Sequence, residues 1–113
     1  MHRYWDAADV ELKAWDDHDA AAALRSALAT AVQRQLMAEV PLGAFLSGGI
    51  DSSSIVGLMS HASTQAVNTF SIGFSDGTYN ELPYAREVAA LFKTNHRERQ
   101  ASPDLGDMFE RLI

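Results

Sequence analysis

A short apolar run, Leu42-Gly43-Ala44-Phe45-Leu46, passes without a spacer into Ser47-Gly48-Gly49-Ile50-Asp51-Ser52, and a second apolar-faced segment follows at once. A continuous run of that length reads as a strand buried on both faces. Ile55, Leu58, Met59 and Ala62 then supply one apolar face for a helix over about 52–61. Strand, glycine turn and helix in this order are the start of a crossover, which commits the chain to a parallel sheet.

The rest of the sequence repeats the alternation. Leu24, Leu28, Val32 and Leu36 recur four apart, with Ala31 in the same stripe, and predict a helix from about 19 to 37 or 38; Pro41 cannot continue it. Over 67–74, Phe70, Ile72 and Phe74 alternate with Thr69, Ser71 and Gly73, the period of a strand. Leu82, Ala85, Val88, Ala89 and Phe92 hold a helical period. Residues 96–101 read as a polar third strand, and Ser102-Pro103-Asp104 as the capped start of a last helix, with Met108 to Ile113 reading as a helix cut off in progress. Residues 1–18 form an irregular lead-in whose Trp5 and Trp15 are expected to pack onto the domain. Such alternation predicts right-handed crossovers and a sheet with helices on both faces, with ligands bound beyond the C-terminal strand ends.

The glycine loop lies at that edge. Gly48 and Gly49 allow a tight turn that brings backbone N–H groups near an anion, and the following helix directs its positive end to the same place. Ser47 and Ser52 add hydroxyl donors. Asp51 would repel a phosphate, so its expected task is to hold Mg²⁺ that bridges phosphate oxygens. A Gly-x-x-x-x-Gly-Lys-Ser/Thr loop is excluded, because no lysine occurs between Ala14 and Phe92.

Composition limits the other possibilities. At 113 residues with 47% hydrophobic and 21% charged content the chain suits one globular domain. A net charge of −6 offers no basic surface for nucleic acid or anionic membrane. With no cysteine, thiolate metal sites and thiol chemistry are excluded, and a cytoplasmic setting fits. No apolar run reaches the roughly 20 residues of a membrane span, and the N-terminus does not read as a signal peptide. Glu81 stands at the loop-to-helix junction beside the expected site and is a substrate-side candidate. Arg86 reads as a surface residue, His61 and His96 as structural or solvent-facing, and His18 among Asp16, Asp17 and Asp19 as part of a helix start.

The segment Val40-Pro41-Leu42-Gly43-Ala44-Phe45-Leu46-Ser47-Gly48-Gly49-Ile50-Asp51-Ser52-Ser53 closely resembles the pyrophosphate loop of glutamine-dependent asparagine synthetases. Thr69-Phe70-Ser71-Ile72-Gly73-Phe74 resembles that family's second strand. Tyr79-Asn80-Glu81 with Pro83-Tyr84-Ala85-Arg86 resembles the entry to its next helix, and Thr94-Asn95-His96-Arg97-Glu98 the entry to its third strand. Tyr4-Trp5 is similar to its lead-in.

The resemblance implies an α/β fold, a partial three-layer α/β/α sandwich with a parallel sheet of the adenine nucleotide alpha hydrolase type. Residues 19–113 would be the N-terminal portion of the ATP-pyrophosphatase domain. It implies adenylation of the aspartate side chain by ATP, release of pyrophosphate, and displacement of AMP by ammonia that a separate glutaminase domain takes from glutamine. Ser47, Gly48, Gly49, Asp51 and Ser52 would hold pyrophosphate and Mg²⁺, and the backbones of Leu46 and Ile72 would meet the adenosine. The family usually has Asp, Gly and His where this chain has Asn80, Lys93 and Arg97. Its downstream Ser-Gly-Glu-Gly-Ala-Asp-Glu segment has no counterpart here, so little turnover is expected from this chain alone. β-Lactam synthetases and peptide cyclases of the same fold, and a non-catalytic nucleotide-binding remnant, remain alternatives.

Overall fold

Strand β2 (Asn68–Phe74) forms the centre of a three-stranded parallel sheet, between β1 (Gly43–Phe45) and β3 (Asn95–Ala101). The computed structural model describes residues 3–6, 8, 10, 14–74 and 80–101. Helices α1 (Asp17–Gln35), α2 (Ile50–Ala62) and α3 (Leu82–Phe92) alternate with the strands in the predicted order. The expected helix beginning at Ser102 lies outside the described residues. Register runs from Gly43 opposite Asn68 to Phe45 opposite Phe70, and from Asn68 opposite Asn95 to Phe74 opposite Ala101.

The described helices lie on one face of the sheet. Leu46, Val56, Ala85 and Ala89 form one buried cluster that joins the end of β1 to α2 and α3. Val32, Met59 and Val67 form a second cluster that joins α1 to α2, with Leu36, Ala44, Ile55 and Leu58 around it. This one-sided arrangement follows from the strand order. Two right-handed crossovers that advance in the same direction deliver both helices to the same side, so these residues build two layers of the expected sandwich.

Several sequence expectations change in detail. β1 is not buried on both faces: Ala44 and Leu46 turn inward, but Phe45 is 77% exposed. The alternation in β2 holds, with the small set inward. Thr69, Ser71 and Gly73 are buried while Phe70, Ile72 and Phe74 face outward. Gly73 shows why: a Cβ there would fall 2.4 Å from Leu82 Cδ1, so α3 lies too close to admit larger side chains. Of the α1 stripe only Val32 is buried and Leu24 is exposed, because α1 packs chiefly on α2. Trp5 and Trp15 are exposed.

Helix ends are specified locally. Asp16 caps α1 by accepting from Asp19 N–H at 2.9 Å. α3 ends on Lys93 in the left-handed region (φ 51°, ψ 45°), and Thr94 N–H reaches back to Ala89 O at 3.0 Å.

Candidate functional site

The turn between β1 and α2 is built from its own side chains. Ser52 Oγ accepts from Ser47 N–H at 3.2 Å, contacts Ser47 Oγ at 3.0 Å, and lies 3.2 Å from Gly49 O. Ser47 Oγ also accepts from Gly49 N–H at 3.2 Å. The two hydroxyls expected as phosphate donors thus hold the loop shut on itself. Ser53 N–H closes the first turn of α2 on Gly49 O at 3.0 Å.

The glycines have different reasons to be there. Gly48 has φ +86°, and a Cβ on it would meet Tyr84 Cβ at 2.5 Å and Ala85 N at 2.7 Å. Its demand is therefore internal: the loop leans on the first turn of α3. Gly49 is extended (φ −70°, ψ 162°), and its Cβ would meet only Ser47 Oγ, at an ordinary 3.4 Å. Among the described residues no contact requires glycine there, and beyond Ser47 Oγ nothing crowds that position. No side chain caps α2, and the amides of Ile50, Asp51 and Ser52 have no partner among the described residues. Unsatisfied first-turn amides under the positive end of a helix are what an anion needs. Asp51 is exposed in that first turn.

Beside the loop, a cleft of 140 Å³ opens at the strand ends, lined in part by Leu46, Ser47, Ser71, Ile72 and Glu81. The structure therefore brings Leu46, Ser47, Ile72 and Glu81 to one place. Leu46 is buried and fixed on both backbone sides: its N–H donates to Phe70 O at 2.8 Å, and its carbonyl accepts from Ser71 Oγ. The ladder to β1 stops at that Leu46 bond. Ile72, two residues beyond Phe70, directs its N–H and C=O to the same side, past the end of β1. Glu81 occupies the cap position of α3, but the capping is done by Asn80, whose Oδ1 accepts from Leu82 N–H at 3.2 Å.

The remaining polar residues form a separate network. Thr69 Oγ1 lies 2.7 Å from Thr94 Oγ1 and 3.0 Å from His96 Nδ1. His96 Nε2 stands 3.2 Å from Glu98 Oε1 without hydrogen-bond geometry. Arg86 donates to both oxygens of Glu98, at 2.8 and 2.7 Å. These bonds, with the guanidinium charge, hold the Glu98 carboxyl below its ordinary range against a smaller opposing effect of burial. Arg86 is thus exposed as expected, but paired. His61 Nδ1 contacts Gly57 O at 2.7 Å and its ring meets Phe92 edge-on, a structural role. Asp16, His18 and Asp19 form an exposed group in which Asp16 is committed to capping α1.

Tyr84 and Ala85 as the support of Gly48, and Ser71 as the clamp on Leu46, were not singled out from sequence. The available signal was the run of small residues in β2, which marks close approach of another backbone.

The family described as asparagine synthase matches residues 23–113. A protein of Methanocaldococcus jannaschii, named provisionally as glutamine-hydrolyzing asparagine synthetase 2, is 40% identical over 94 residues, covering 82% of this chain and 18% of its own length. Glutamine-hydrolyzing asparagine synthetase 1 of Bacillus subtilis is 36% identical over 81 residues, 72% of this chain and 13% of that protein. Amidase chry2 of Gibberella zeae is 41% identical over 64 residues, 54% of this chain and 10% of that protein. The chain spans less than a fifth of the length of these relatives. With the match running over most of its residues and the glycine loop at the heart of it, this chain belongs to the asparagine synthase family.

Proposed function

We propose that this chain carries the pyrophosphate- and adenosine-binding part of an amide-forming ligase site. In the whole protein, a carboxylate oxygen of the aspartate side chain attacks the α-phosphorus of ATP as the bond to pyrophosphate breaks. Ammonia derived from glutamine, supplied by a glutaminase domain, then displaces AMP at the acyl carbon and loses a proton, giving asparagine. The observation that carries this reading is the pairing of a crowding-free Gly49 with first-turn amides of α2, at Ile50, Asp51 and Ser52, that have no partner among the described residues.

In this reading the free amides bind the pyrophosphate oxygens, and the Ser47–Ser52 pair keeps the turn in shape to do so. Mg²⁺ held by Asp51 would offset the phosphate charge. The exposed carboxylate of Asp51, in the same helical turn as the free amides, fits that role. Ile72, with backbone donor and acceptor directed past the end of β1, suits the polar edge of the adenine. Leu46 would form the apolar floor, since its own N–H is already used.

Isothermal titration of the chain with Mg²⁺–pyrophosphate and Mg²⁺–ATP tests the reading. Weak binding of both that drops at least tenfold in Asp51→Ala is the expected result. Equal binding by the variant and the unaltered chain would refute the assignment of the loop.

A further inference from the structure

Glu81 holds a position whose usual duty another residue performs. As the N-cap of α3 it makes no side-chain cap bond, because Asn80 satisfies Leu82 N–H instead. Its carboxylate is exposed, has no partner among the described residues, and belongs to the lining of the strand-end cleft. It is the one charged side chain in that lining. Apart from the modest benefit of a negative charge at the helix N-terminus, the fold gives this carboxylate no task.

We infer that Glu81 is the acceptor for the ribose hydroxyls of the bound nucleotide. The inference rests on the nucleotide reading given above and extends it to the sugar. Ser47, Ile72 and Glu81 line the cleft together, and on that reading Ser47 is its phosphate end and Ile72 its base end. A nucleotide that spans the two places its ribose between them. A carboxylate there cannot face phosphate without repulsion, since it only accepts hydrogen bonds. A vicinal diol presents two donors to its two oxygens, the same chemistry by which an acidic residue reads a ribose hydroxyl in other dinucleotide sites. Hydrogen bonds to a charged acceptor are the stronger kind, so the discrimination should be measurable even in a weak complex.

The test is a set of dissociation constants for Mg²⁺–ATP, Mg²⁺–2′,3′-dideoxy-ATP and Mg²⁺–pyrophosphate, measured by titration on the 113-residue chain and on Glu81→Ala and Glu81→Gln. The unaltered chain is expected to bind the dideoxy nucleotide about tenfold more weakly than ATP. Glu81→Ala should weaken ATP to the level of the dideoxy nucleotide and leave the dideoxy nucleotide and pyrophosphate unchanged. Glu81→Gln, which keeps one acceptor oxygen, should fall between. The melting temperature of both variants should fall by no more than a few degrees, the loss of one charge at a helix N-terminus, which separates a binding role from a structural one. Equal affinity of the unaltered chain for ATP and its dideoxy form overturns the inference, as does a preference that survives in Glu81→Ala. Binding of pyrophosphate without ATP would overturn the inference while sparing the loop. Binding of neither ligand would overturn the nucleotide reading and this inference with it.

Discussion

Gly48 and Tyr84 are in backbone-to-backbone contact: a single carbon added to Gly48 would lie 2.5 Å from Tyr84 Cβ and 2.6 Å from its carbonyl carbon. The glycine turn is therefore braced against the start of α3, which is also the element that carries Glu81 to the cleft.

The two adjacent glycines should consequently separate in experiment. Gly48→Ala combines a left-handed backbone with a clash against main chain, and should cost about 2–4 kcal/mol in urea unfolding. Gly49→Ala should cost about 1 kcal/mol or less, the difference between glycine and alanine at a helix cap, yet its methyl group would fill the space in front of the free amides. It should weaken pyrophosphate binding strongly in a chain that remains folded. A Gly49→Ala chain that bound pyrophosphate normally would mean the anion does not approach there.

Ser52→Ala tests whether the hydroxyl pair shapes the turn. Removal of Ser52 Oγ leaves Ser47 N–H without its acceptor, at a cost of about 1–2 kcal/mol for an orphaned part-buried amide. Chemical denaturation gives the stability, and amide hydrogen exchange at Ser47 should accelerate.

Lys93 is expected to be a correctable flaw. It holds a left-handed conformation at the C-terminus of α3, where glycine carries no steric penalty. Lys93→Gly should raise stability by about 1 kcal/mol, visible as a higher melting temperature with no change in ligand binding.

The Arg86–Glu98 pair should give the chain a pH signature. The folded carboxyl titrates below its ordinary range, so its contribution is complete above that range. It is lost as the pH falls through the depressed folded value. Glu98→Gln should remove this part of the acid destabilisation, and added salt should shrink it, since the pair is exposed. Melting temperatures from neutral pH down through the carboxylate range provide the measurement.

Much of this was legible from residue order. The glycine loop, its flanking strand and helix, and the parallel alternation follow from local patterns that tertiary structure had no reason to override. What could not be read was which face of each strand would be covered. Phe70, Ile72 and Phe74 have the greater hydrophobicity, but β2 buries Thr69, Ser71 and Gly73 because α3 packs close over them. That choice is made by inter-element distance, on which periodicity within one strand is silent. Likewise Asn80 closes the start of α3 by accepting from Leu82 N–H through its side-chain oxygen. The division of labour between Asn80 and Glu81 depends on backbone angles that sequence does not display.

The small residues on the inner face of β2 act as a spacer for the whole site. They fix how far α3 stands from the sheet, hence the gap between the glycine turn and Glu81. Gly73, with no role in holding a ligand, already touches the limit through Leu82. The width of the cleft is thus set in part from beneath, at Gly73, which is not among the residues that line it.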